Sequence, residues 1–417
     1  MFRDMQRKVK SVLENLGHRF KASSLCSKLF FVFSWIRHKR ISDAAFHFLL
    51  PPPGNGNIGD QAMIESFINY VGNDCVLIVE DESSFKQKNQ ISPEPKLIEI
   101  PHLINGNLIQ NLVAIISILK ISHKMKSFSV IGADIMDGVY GIKVSLNRLF
   151  LLRVINFLNI DSRITGFSWS PNANPLCTKL VRIISEETKL CVRDPKSLQR
   201  LKTHQILTVT EAADIVFSDE SVDTSPVTEM WVSSSTKPIV AVNISGLGVC
   251  VRNEYLQHIQ QYKIIIECLQ KKGFRILILP HVFRIEDGDL ETSSDLFRAS
   301  CRSEDLLITE PLSPAQERQL FRAVSFVITG RMHIAILALS VGCPVIALET
   351  MGKVQGLFEL FDLGKYCLDR NLEFADEVIH VIGMLEKEYS SVCKLIQKKI
   401  PEIRQLSFQN FADLDLV

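Results

Sequence analysis

Two series of short apolar runs, each handed over to a segment with helical spacing of its hydrophobic residues, are separated by one polar stretch at residues 218–235. That alternation constrains the fold more than any other feature of the chain. Runs too short for a helix and without polar alternation suit strands covered on both faces, and strands alternating with helices suit parallel β-α-β units. In the first series strands are expected at 44–50, 75–79, 128–132, 164–167 and 190–192, with helices at 61–71, 106–121 and 142–159. In the second, strands are expected at 238–244, 274–279, 306–309, 324–328 and 344–348, with helices at 254–272, 313–323 and 333–339. The expected fold class is α/β, with two Rossmann-like domains facing a cleft. Composition sets the boundaries: a basic N-terminal segment 1–42, a first domain 43–220, a linker 221–236, a second domain 237–372 and a helical tail 373–417. A chain of 417 residues is long for one core and comfortable for two.

A net charge of +1 gives no global reason to bind nucleic acid. The first 40 residues nevertheless hold ten Lys or Arg against two acids. They include an apolar run at 29–36 flanked by Lys28 and by Arg37, His38, Lys39 and Arg40. Such a segment either makes peripheral contact with an anionic membrane or packs as a helix on the first domain with its cations in water. No uncharged apolar run reaches the ~18 residues of a spanning helix, the nearest candidates being 29–36 and 108–121. Ten cysteines lie singly, without CxxC or zinc-ligand spacing, as expected of reduced thiols in a cytoplasmic protein with no metal site. The start has no basic-then-apolar signal with a small-residue cleavage site, which also favours the cytoplasm.

Chemistry concentrates where strands hand over to helices, the edge at which open α/β sheets bind ligands. The sharpest case is Thr329-Gly330-Arg331-Met332-His333: a guanidinium, a titratable imidazole and the N–H groups of a starting helix suit an anion. The turn at 53–60 ends in Asn57, Ile58, Gly59 and Asp60, with Asp60 suited to cap the following helix. It is a phosphate or sugar-hydroxyl loop or simply a tight turn. It lacks the Lys and Ser/Thr of a Walker loop and the glycine spacing of a dinucleotide fingerprint. At Arg193-Asp194-Pro195, Asp194 suits the cap and Pro195 the first position of the next helix. Arg193 then grips a carboxylate or phosphate, or makes an intramolecular ion pair. His281 ends a strand at the ligand edge, where a satisfied structural role is the alternative. Asp134, Asp137 and Asp214 orient a sugar or cap helices.

In order, these motifs resemble the polysaccharide pyruvyl transferase family. The matching pieces are GNGNIGDQAM at 54–63, Ile131-Gly132-Ala133-Asp134 with Asp137, VRDPKS at 192–197, and Ala213-Asp214. The second half adds VAVNIS at 240–245, ILPH at 278–281, GRMHIAILALSVGCPVIAL at 330–348, and Lys353 with Gly356. The set covers roughly residues 45 to 360. The family's glycine-rich run is thinned here to Gly132-Ala133-Asp134, and Gly166 to Pro171 also departs from its pattern; both differences fall on the acceptor side. The resemblance implies an architecture similar to the two-domain GT-B glycosyltransferases. It also implies transfer of the enolpyruvyl-derived group of phosphoenolpyruvate to a saccharide as a cyclic ketal, with release of phosphate and no cofactor or metal. On the matching positions, Arg193, Arg331 and Lys353 bind phosphoenolpyruvate and His333 is the catalytic histidine. Asn57, Gly59, Asp60, Asp134 and His281 then form an acceptor or phosphate loop. The acceptor would be a lipid- or nucleotide-linked intermediate of surface polysaccharide (exopolysaccharide) synthesis, handled at the cytoplasmic face of the inner membrane.

Two other classes compete. A GT-B glycosyltransferase with a nucleotide-sugar donor needs a pair of glutamates in its second domain, and only Glu349 stands near the right place. A scaffold that has lost turnover is hard to reconcile with the survival of Arg193, Arg331 and His333 together.

Overall fold

Runs such as Cys75–Val79 (CVLIV) and Phe326–Thr329 (FVIT) are buried along their whole length and form parallel strands, because a strand covered on both faces needs no polar side. The computed structural model describes residues 45–53, 56–82, 94–245, 252–284, 288–349, 354–371 and 373–414. The described residues divide into two units: 45–53, 67–215 and 408–414 in one, 56–66 and 216–407 in the other.

The first unit's sheet holds β1 (Phe46–Leu50), β2 (Cys75–Val79), β3 (Lys96–Glu99), β4 (Met125–Ala133), β5 (Asp161–Phe167), β6 (Thr188–Val192) and β7 (Thr210–Glu211). Their order is β3-β2-β1-β4-β5-β6-β7 and every pairing is parallel. The helices are α1 (Ile58–Val71), whose opening residues count with the second unit, then α2 (Leu108–Ile121), α3 (Ile142–Phe157), α4 (Pro175–Ile184) and α5 (Pro195–Thr203). Local sequence explains their starts. Asn107 and Gln110 form a capping box, Asn174 accepts from Leu176 N ahead of Pro175, and Asp194 accepts from Ser197 N with Pro195 in first position. Between sheet and helices lie Phe48, Ile78, Phe128, Val130, Phe150, Ile164 and Trp169, each worth about 1.5–3 kcal/mol of apolar burial.

The second unit runs α6 (Pro226–Ser233), β8 (Ile239–Val242), α7 (Arg252–Lys271), β9 (Arg275–Ile278), α8 (Leu290–Ser300), β10 (Leu306–Leu307), α9 (Pro314–Phe321), β11 (Phe326–Thr329), α10 (Met332–Ser340), β12 (Val345–Glu349), α11 (Val354–Leu360), β13 (Cys367–Asp369) and α12 (Ala375–Phe408). Its sheet, again parallel, has the order β10-β9-β8-β11-β12-β13. In both sheets the chain walks outward from its first strand, then returns to that strand's other side. The ligand crevice of such a sheet opens at the carboxyl ends of the strands where the order reverses. Those points are β1/β4 and β8/β11.

Four features differ from the expectation. Residues 226–233, within the expected linker, form α6, begun by Ser225-Pro226 and anchored by the Trp231 indole, which donates to Glu304 O at 3.0 Å and lies under Arg275 at 3.9 Å. The edge strands β3, β7 and β13 are too short or too exposed to show as apolar runs. The glycine turn clusters with the second unit although it follows β1. The end of the tail counts with the first unit: Phe411 stacks on Tyr70 at 3.9 Å, and Asn410 accepts from Gly166 N and donates to Ala213 O. The basic segment 1–42 lies outside the described residues. No described helix is long and apolar enough to cross a membrane.

Candidate active site

At the β8/β11 switch point the turn after β11 is tied down by side chains. Thr329 Oγ1 accepts the Arg331 backbone N–H at 2.9 Å and donates to Asn243 Oδ1 at 3.0 Å. Asn243, just past β8, passes the connection to Leu279 O at 3.0 Å. Arg331 is the residue before α10, extended at φ −106° and ψ 122°, and no side chain caps that helix. Its guanidinium is held by Asp289, with Nη2–Oδ1 at 2.6 Å and Nε–Oδ2 at 3.2 Å. Asp289 is fully buried and also accepts the His281 and Val282 backbone N–H groups. The carboxylate therefore fixes the Nε–Nη2 edge of the guanidinium fork in a charge-assisted pair. A second guanidinium, Arg370 after β13, is close enough for Arg331 to act on it. Desolvation, with that like charge, holds Arg370 below its ordinary value.

His333 stands in the first turn of α10. The glycine turn is its floor: a Cβ added at Gly59 would lie 2.4 Å from His333 Nδ1. Only glycine admits the imidazole so close to the start of α1. Asn57, not Asp60, caps α1, its Oδ1 accepting from Gly59 N at 3.0 Å and Asp60 N at 3.4 Å. Asp60 sits in the first helical turn, where its charge complements the helix dipole. The turn is stitched to the end of β9 by Ile58 N to His281 O at 3.2 Å and Phe283 N to Gly56 O at 2.7 Å, with a bridge pairing Asn57 and Val282. His281 itself is fully buried, with Nδ1 3.4 Å from Glu317 Oε1. Deeper in the unit, Arg318 pairs with Asp219 at 2.9 Å, and Glu65 on α1 accepts from Gln61 at 2.6 Å. Desolvation pushes the Glu65 carboxyl up to about 7 against that hydrogen bond.

The first unit gathers a separate group. Arg193 is 3% exposed, with Nη1 2.8 Å from Asp214 Oδ2 and Nε donating to Ser168 Oγ at 2.8 Å, so the intramolecular ion pair is present. Beyond β4, Asp134 hydrogen-bonds Tyr140, and desolvation together with that carboxylate pushes the phenol up and keeps it a neutral donor. Asp137 accepts from Val139 N and Ser170 N and so helps hold this loop in place.

A profile of the polysaccharide pyruvyl transferase family matches residues 57–350, from the glycine turn through the Arg331–His333 turn to the end of β12. The chain belongs to the polysaccharide pyruvyl transferase family. Among curated proteins, none matches it in sequence. Solved structures show the fold. A UDP-N-acetylglucosamine 2-epimerase from Listeria monocytogenes, named as putative, aligns over 90% of this chain and 98% of its own at 10% identity and a TM-score of 0.59. Arabidopsis thaliana UGT89C1 complexed with UDP aligns over 89% and 98% at 13% identity, also with a TM-score of 0.59. A UDP-GlcNAc 2-epimerase from Neisseria meningitidis bound to UDP-GlcNAc aligns over 87% and 97% at 12% identity with a TM-score of 0.56. This transferase family member thus has the two-domain GT-B architecture.

Of the residues singled out by sequence, Asn57, Gly59, Asp60, His281, Arg331 and His333 come together in the second unit, and Arg193 and Asp134 stand in the first. Lys353 lies outside the described residues. Sequence reading missed Asp289, Arg370, Glu317 and Tyr140. Asp289 lies only eight residues past His281 in an acidic stretch of sequence, which is the one signal that pointed to it. Glu349 is buried at the end of β12 and accepts from Gln355 N at 2.7 Å, so it holds the chain entering α11.

Proposed function

We propose that this chain transfers the pyruvyl group of phosphoenolpyruvate to a saccharide as a cyclic ketal. The observation that carries the reading is the turn after β11: Arg331 oriented by buried Asp289, an uncapped helix start, and His333 seated on Gly59 two residues on. Phosphoenolpyruvate carries a carboxylate and a phosphate. Arg331, Arg370 and the first N–H groups of α10 supply cations and oriented donors for both.

In the proposed reaction His333 gives a proton to the donor's methylene carbon, which becomes the methyl group. The adjacent carbon takes on oxocarbenium character and is attacked by a sugar hydroxyl. Loss of phosphate and attack by a second hydroxyl close the ketal. Two C–O bonds form, the C–O bond to phosphate breaks, and the two hydroxyl protons balance the proton donated and the proton on the released phosphate. Such general-acid help is typically worth ~10²–10⁴ in rate. We assign the acceptor to the loop after β4, where Tyr140 offers an aromatic face and Asp134 accepts sugar hydroxyls. Arg193, closed on Asp214 and Ser168, orders that unit's ligand edge. Saccharides built for surface polymers, carried on lipid or nucleotide, fit this acceptor class.

The test is a thermal-shift titration with phosphoenolpyruvate and, separately, with uridine and guanosine diphosphates. A ligand bound by the native state alone raises the midpoint by mass action. The expected result is a shift with phosphoenolpyruvate that His333→Gln retains while losing phosphate release. A shift with a nucleoside diphosphate alone refutes the reading. His333→Gln is a cleaner probe than Arg193→Ala, which removes the guanidinium paired with buried Asp214 and so also perturbs the fold.

A further inference from the structure

The helix α2 is apolar on both sides. Its inner face buries Asn111, Ala114, Ile115 and Ile118, and Asn111 donates to Leu103 O. Its outer face exposes Ile109 (75%), Val113 (59%) and Ile116 (52%), spaced four and three residues apart and so aligned in one stripe. Single exposed apolar residues are ordinary, whereas a stripe of three on one helix marks a contact surface. Two observations say what covers it. From Ile100 to Ala133 the sequence has no Asp or Glu, while Lys120, Lys124 and Lys126 follow one another at the helix's carboxyl end. At the amino end Lys143 Nζ donates to Asn105 O at 2.8 Å and is offset by Glu80, which accepts from Ile104 N and Asn105 N, so the net positive charge lies at the carboxyl end.

We propose that the outer face of α2 docks on an anionic lipid bilayer, the stripe entering the headgroup boundary and the lysines meeting lipid phosphates. Lying in the plane is the geometry available, since 14 residues span only ~21 Å. The chain's own N-terminal segment is the competing occupant, and charge argues against it. Ala45 N donates to Lys124 O at 3.1 Å, so the chain enters β1 beside the basic end of α2. Arg37, Lys39 and Arg40 precede it in the sequence. Like charge on that stretch of sequence and on Lys120 and Lys124 disfavours its packing there, and both sets suit an anionic surface.

The experiment is co-sedimentation of the full chain with vesicles of phosphatidylcholine alone and of phosphatidylcholine with phosphatidylglycerol. Wild type is expected to pellet with the anionic vesicles only, and raised salt to release it. Replacing Ile109, Val113 and Ile116 together by Gln, which is at least as good a helix former, is expected to cut binding by at least about tenfold without lowering the thermal midpoint. Undiminished pelleting of the triple variant overturns the proposal, as does wild type that pellets equally with neutral vesicles or with none. A wild-type dimer that the triple variant converts to monomer, with no vesicle binding, reassigns the stripe to a second copy of the chain and equally overturns it.

Discussion

Substituting Gly59→Ala tests whether the glycine turn positions His333. The added methyl would sit 2.4 Å from His333 Nδ1, 2.5 Å from Cγ and 2.6 Å from Cβ. Carbon contacts settle at about 3.5 Å or beyond, so the overlap is about 1 Å. A side-chain rotation cannot relieve it, because the Cβ of His333 is fixed by its own backbone. The start of α1 and the start of α10 must instead separate. Overpacking of this kind typically costs about 1–3 kcal/mol of stability. A displacement of about 1 Å in a reacting group costs on the order of 10² in rate, or about 2.7 kcal/mol of barrier. The assay is phosphate release from phosphoenolpyruvate with an acceptor that supports wild-type turnover, beside a crystal structure of the variant. Gly364→Ala is the control, since nothing lies within 4 Å of its Cβ. The reasoning fails if Gly59→Ala turns over within about threefold of wild type, or if its crystal structure shows His333 unmoved.

Three further outcomes are expected. Glu65 is raised from 4.5 to about 7 in the fold, so it favours folding fully below pH 4.5 and loses that contribution as pH rises through 7, about 3 kcal/mol in all. His258, lowered by burial from 6.5 to about 4, acts oppositely, its contribution being present above pH 6.5 and lost as pH falls through 4. Glu65→Gln should therefore unmask a midpoint that climbs from pH 4.5 to 6.5, and a variant-to-wild-type difference constant with pH would refute the assignment. Arg370→Gln should weaken the phosphoenolpyruvate shift by about tenfold in apparent affinity while leaving the fold intact, and an unchanged titration removes Arg370 from the donor site. Gly383 lies inside α12 with nothing within 4 Å of its Cβ, so Gly383→Ala should raise stability by about 0.5–1 kcal/mol in a denaturant titration.

What was legible in the sequence follows from the range over which each signal acts. The strands Cys75–Val79 and Val345–Glu349 announced themselves as apolar runs, and Asp194-Pro195 and Ser313-Pro314 as helix starts, because burial and capping are decided within a few residues. Thr329 to His333 was legible for the same reason, lying where one strand becomes one helix. The pairings were not. Arg331 meets Asp289 across 42 residues, His281 meets Glu317 across 36, and Arg193 meets Asp214 across 21. Asp289 is one acid among several in its stretch of sequence, and only its place eight residues past His281 hints at it. Gly59 read as a turn residue, and its reason for being glycine is an imidazole that arrives 274 positions later in the chain.

Asn410, which follows every described strand, sets a condition on the chain's synthesis. Asn410 supplies the acceptor for Gly166 N and the donor for Ala213 O, and its own carbonyl takes Arg163 Nη1 at 3.1 Å. All of these groups are buried, and until residue 410 is present they have no such partners. A ribosome making this protein therefore releases the first sheet's strands long before it delivers the piece that completes them. The usual sequence, in which an N-terminal domain finishes folding while the next is still being made, is closed to it. The first sheet's unit waits for residues 408–414, which follow every described strand, and a truncation before residue 408 that spares all those strands still leaves it unfinished.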